Sequence, residues 1–182
     1  MISTQKLLQL VKDNRIILCF GDLGKEVDGH YTCKDKRGII LINRRITGNL
    51  RLLRITLAEE LGHAFTSVGD LTPVLNSQIS TDSMNEMKKL YYETLAHKWA
   101  TDFLIPTGLL FYLCFHNPGM SVKEISDVFL VTEDFVLKKL YLLTIKDLEW
   151  DLNRLRFLHG NKFGFGDKSD TKGVEYSYLD CV

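Results

Sequence analysis

Apolar residues recur at helical spacing from Thr4 to Lys12, with Leu7, Leu8, Leu10 and Val11 set among polar neighbours. Arg15 to Phe20 is a short β-rich run, and the Gly and Asp content of Gly21 to Gly29 predicts a turn after it. His30 to Cys33 and Gly38 to Ile42 are two further strand candidates, joined by a charged turn from Lys34 to Arg37. From Leu50 to Phe65 the period becomes helical again. Ser67 to Ser83 is polar and predicts a loop, and Met84 to Phe103 predicts a long helix stopped by Pro106. Thr107 to Phe115 predicts a short helix ended by Asn117-Pro118-Gly119. Ser121 to Thr144 predicts a pair of helices, with Thr132 as the N-cap of the second. Lys162 to Val182 is rich in Gly and Asp and predicts an irregular tail. The order of elements predicts an α+β fold: one helix, a small antiparallel sheet, then helices.

Length and composition narrow the classes. A chain of 182 residues suits one domain with a small appendage, and it can bury a core without disulfides. The 23 Lys+Arg balance 23 Asp+Glu, which argues against holding nucleic acid by bulk charge. The four cysteines, Cys19, Cys33, Cys114 and Cys181, form no C-x-x-C pair and match no zinc knuckle. Cys19 and Cys114 lie in apolar runs and are expected to be small buried hydrophobes. Met1 to Asp13 lacks the unbroken apolar stretch of a signal peptide. The longest apolar stretch, Phe103 to Phe115, is interrupted by Pro106, Thr107 and Gly108 and is too short to span a bilayer. These features predict a cytoplasmic protein with reduced thiols and no membrane partner.

Two helices carry candidate chemistry. In Leu50 to Phe65, the wheel puts Leu50, Leu53, Leu57, Leu61 and Phe65 on one face, which is expected to be core. Glu59 and His63 lie one turn apart on the opposite side, with Glu60 on the flank. The string Glu59-Glu60-Leu61-Gly62-His63 is a zinc-protease His-Glu-x-x-His with Glu in place of the first His. In isolation it also fits a solvated acidic face. Gly62 points beyond that, because a mid-helix Gly costs roughly 1 kcal/mol relative to Ala and marks a place where something packs close. In the second helix, Tyr92, Leu95, Ala96, Trp99 and Phe103 form an apolar face, and Glu93, His97 and Ala100 share the adjacent strip. Small Ala96 and Ala100 would let another helix come near Glu93. A plain surface pair of Glu93 with His97 or Lys89 is the alternative.

Together, TLAEELGHAFTSVGD and YYETLAHKWATDFLIP resemble the ImmA/IrrE family of metallopeptidases. There a His-Glu-x-x-His helix precedes a Glu-x-x-Ala helix with a closing Leu-Leu-x-Pro-like end. Here the second part reads Glu93-Thr94-Leu95-Ala96, then Trp99-Ala100 and Leu104-Ile105-Pro106. The strand Gly38 to Asn43 resembles the one before the family's active-site helix. The likeness covers roughly Gly29 to Pro106, more loosely to about residue 145. It implies a minimal zincin-like core over 1–118, a helical helix-turn-helix-like appendage over 119–158 and a tail over 159–182. It also implies one zinc ion (manganese as the other candidate), with His63 and Glu93 as ligands and Glu60 as general base. Glu59 would stand as the first ligand in place of His. His97 would orient Glu59 or bind metal itself. The strand Ile39, Ile40, Leu41, Ile42 would offer its edge to an extended substrate. The implied activity is zinc-dependent endoproteolysis of a helix-turn-helix repressor of a phage or mobile element.

Glu59 keeps a second function open: a catalytically silent zincin-like protein that docks on a regulatory partner. The segment VKEISDVFLVTEDFVLKKL has a helix-turn-helix-like pattern, but Leu130 stands where DNA-binding versions usually have Gly. Lys123, Lys138 and Lys139 are set against Glu124, Asp127, Glu133 and Asp134, which argues against direct DNA binding. Asp70 is expected to cap a turn beside Gly69, and His30 to be structural. His116 and His159 are given no role.

Overall fold

The computed structural model describes residues 3–34, 37–66 and 83–144. The polar stretch with Asp70, and everything from residue 145 on, including His159, Cys181 and the expected tail, lie outside the described residues. Three strands and six α-helices are described. Helix α1 spans Thr4–Asp13, strands β1, β2 and β3 span Ile17–Gly21, Gly29–Lys34 and Arg37–Asn43, and α2 spans Leu50–Thr66. Helices α3 to α6 follow at Ser83–Leu104, Thr107–His116, Val122–Phe129 and Glu133–Thr144. Their bounds follow the periodicity closely.

The sheet is mixed rather than antiparallel. Its order is β1-β3-β2, with β1 parallel to β3 and β2 antiparallel to it. The turn from Gly21 to Gly29 therefore carries the chain past the end of β3. Asn43, almost fully buried there, holds that crossing: Nδ2 donates to the carbonyls of Gly24 and Val27, each at 2.7 Å, and its backbone N–H donates to Asp28 at 2.8 Å. One consequence corrects an expectation. Ile39, Ile40, Leu41 and Ile42 lie on the central strand, paired on both sides, so they cannot receive a substrate by edge pairing. Among the described residues, β1 and β2 are the outer strands of the sheet.

Helix α2 lies between the sheet and α3. Its burial does not follow the Leu50–Phe65 stripe. Leu50 is exposed, whereas Arg54 through Ala58 and Glu60 through His63 are buried. A helix covered on most sides has no solvated face, and its polar residues must find partners inside. Arg54 does so by donating to Thr4 Oγ1 and to the carbonyl of Phe129, each at 3.3 Å.

One hydrophobic cluster runs from Leu7 and Ile40 through Leu57, Leu61, Trp99 and Leu104 to Ile125, Phe129, Phe135 and Val136. Helices α5 and α6 thus contribute side chains to the same cluster as the sheet, α2 and α3. Buried Lys139 of α6 strengthens the joint by bonding Asp102 of α3 and Thr107 Oγ1, the latter at 2.8 Å. Ser121 and Glu124 form a capping box on α5, and Thr132 Oγ1 accepts from the Phe135 N–H at the start of α6. Leu130 ends α5 in the left-handed region, at φ 52°. Cys19 and Cys114 are exposed free thiols, contrary to expectation, and Cys33 is buried and disulfide-bonded. Among the described residues no helix is long and apolar enough to cross a membrane.

Candidate functional site

The site forms where α2 meets α3 on one side and β2 on the other. Two glycines permit the approach. A Cβ on Gly62 would lie 3.0 Å from the Cα and the carbonyl carbon of Ala96, and closer still to its oxygen. The mid-helix Gly is thus explained by the backbone of the glutamate helix pressed against it. A Cβ on Gly29 of β2 would lie 2.5 Å from Thr56 Cγ2 and 2.8 Å from Glu60 Oε1. Ordinary contacts between heavy atoms are about 3.5–4.0 Å, so Gly62 needs the bare backbone, and at Gly29 the side chains of Thr56 and Glu60 would have to shift.

Close crossing at Gly62 brings His63 to Glu93. His63 Nε2 stands 3.4 Å from Glu93 Oε2. Burial disfavours charge on the imidazole, but the Glu93 bond and the charges of Glu60, Glu93 and Glu59 outweigh it and hold its pKa above the ordinary value. The same bond from His63 lowers the Glu93 pKa despite partial burial. His63 Nδ1 is buried with no hydrogen-bond partner among the described residues.

Glu60 sits beside this pair, 8% exposed. Burial pushes its carboxyl up to about 7; the imidazolium of His63 opposes the rise, and Glu59 and Glu93 add to it. The backbone of Tyr31 on β2 also hydrogen-bonds it, favouring the charged form. A carboxyl balanced near neutrality, pinned to a strand and next to an imidazole, has the properties of a general base. His30, expected to be structural, is close enough to feel His63: burial, then the charge of His63, lowers its pKa.

Glu59 is oriented elsewhere. Its Oε1 accepts from Lys138 Nζ at 2.9 Å and lies 3.0 Å from His97 Nδ1. Burial would raise its pKa, but the His97 bond and the Lys138 charge outweigh burial and lower it. The expected partnership of His97 with Glu59 is therefore present. Lys138 was not expected there. Seventy-nine positions separate Lys138 from Glu59, and no local periodicity joins residues that far apart.

The five candidate side chains do not close around a single point among the described residues. His63 Nε2 and Glu93 Oε2 face each other at 3.4 Å and are joined by a hydrogen bond, so both would have to turn to a metal in place of each other. Glu59 is engaged by an ammonium, and His63 Nδ1 lacks the acceptor that usually orients a ligating imidazole. Among the described residues no three His, Cys, Asp or Glu side chains close into a metal-sized group. No protein-family model matches the chain, and no curated protein matches it.

Proposed function

We propose that this chain is a metal-dependent peptide hydrolase of the ImmA/IrrE type, acting on a helix-turn-helix repressor of a phage or mobile element. The observation that carries this is the buried Glu60, poised near neutral pH beside the crossing pair His63–Glu93. His63 and Glu93 would hold the metal, zinc or else manganese. The ion would supply Lewis acidity and a more acidic water. Glu60 would take the proton from the attacking water and deliver it to the leaving amine, held in place by β2. The test is co-expression with the repressor, read by mass spectrometry of the product. Site-specific cleavage that Glu60→Gln and chelation both abolish is expected. Cleavage that persists in Glu60→Gln overturns the assignment.

The contact of Lys138 with Glu59 favours a second reading, a silent zincin-like protein that binds a regulatory partner without cutting it. A stable complex with an intact repressor, and no zinc retained after dialysis against it, would replace the first reading with this one.

A further inference from the structure

Helix α4 is apolar on both sides. Thr107–His116 holds no Asp, Glu, Lys or Arg among its ten residues. Leu110 is buried and Leu113 packs on the core, so their side of the helix faces inward. Gly108, Phe111, Tyr112 and Phe115 follow the i, i+3, i+4, i+7 spacing and share the opposite side. A surface helix carries polar and charged groups there, whereas a helix apolar all round is a buried one. Yet Phe111 and Tyr112 are each 60% exposed and Phe115 is 80% exposed. His116 braces two of these rings, with centroids 4.3 Å from Tyr112 and 5.3 Å from Phe115.

We propose that the outer face of α4 is a self-association surface, covered by the same face of a second copy of this chain. Its stripe is symmetric about a point between Phe111 and Tyr112. Two copies crossed antiparallel on a two-fold axis at that point set Phe115 of each over Gly108 of the other, and Phe111 beside Tyr112. Gly108 has the room, because nothing lies within 4 Å of a Cβ built there. Pairing an uncharged helix with itself brings no like charges together, and the antiparallel crossing sets opposite ends of the helix dipoles side by side. An aromatic side chain carries roughly 150–250 Å², so the three rings offer roughly 300–500 Å² per copy at these exposures. The pair would bury about 600–1,000 Å², below the roughly 1,200 Å² of a stable specific complex. That size fits a weak, reversible dimer. This surface plays no part in the hydrolase reading.

The experiment is sedimentation velocity of the full chain from roughly 1 to 300 μM. The mass should rise from 20.9 kDa toward twice that value, with half-association at roughly 10–100 μM. Phe115→Gln, on the solvent side of the helix, should weaken association at least about tenfold. Gly108→Leu is the decisive variant. It has open space in the single chain, but it fills the hollow that the partner's Phe115 needs, so association should fall roughly 5–100-fold. A face that is merely sticky would gain from the added Leu. A single 20.9 kDa species across the whole range overturns the proposal, and so does association as strong or stronger in Gly108→Leu. Co-flotation with phosphatidylcholine vesicles by a chain that stays monomeric assigns the face to a lipid surface and overturns it as well.

Discussion

Gly62→Ala tests how the site is assembled. On an isolated helix the change should help, by roughly 0.5–1 kcal/mol, because Ala loses less conformational entropy than Gly. Here the new methyl would meet the backbone of Ala96, with two carbons at 3.0 Å and the oxygen nearer. A backbone cannot rotate aside as a side-chain tip can. Restoring ordinary contact needs the two helices to part by roughly 0.5–1 Å. Overpacking of that kind costs about 1–3 kcal/mol. The net expectation is a loss of up to roughly 2.5 kcal/mol in urea unfolding. His63 follows Gly62, and Glu93 lies one turn before Ala96, so the same parting stretches the 3.4 Å His63–Glu93 contact. Gly48→Ala is the control, since nothing lies within 4 Å of a Cβ there. If Gly62→Ala is as stable as wild type or more so, the close crossing is not what positions the pair.

Two further outcomes follow from buried charge. Between the ordinary value of 4.5 and about 7, folded Glu60 keeps a proton that the unfolded chain has released. Its contribution to stability therefore falls as pH rises through that window and levels off above it. Glu60→Gln should remove this slope and gain up to roughly 3 kcal/mol at neutral pH, measured by urea unfolding of metal-free protein; equal slopes in the two proteins would refute it. Asp102→Ala should cost about 3 kcal/mol, because it leaves the buried ammonium of Lys139 with only Thr107. Lys139→Met should cost less, since the freed Asp102 carboxylate is 32% exposed and retains Lys98; the opposite ranking by denaturation midpoint would refute this account.

The order of elements was legible in the chain because each depends on local spacing. Apolar periods placed the helices and strands within one or two residues, and Pro106 and Asn117-Pro118-Gly119 marked their ends. Gly62 announced a close approach without naming Ala96. The sequence also put Glu59, Glu60, His63, Glu93 and His97 on two helices destined to meet. Tertiary structure alone decided how they divide. It joined His63 to Glu93, buried Glu60 against β2, and turned Glu59 to His97 and Lys138. It also placed β3 in the middle of the sheet and drew α5 and α6 into the core. The reason is physical. Helical and strand periods are read over a few residues, whereas strand order and the pairing of distant charges are set by which buried groups can satisfy one another once the chain has closed on itself.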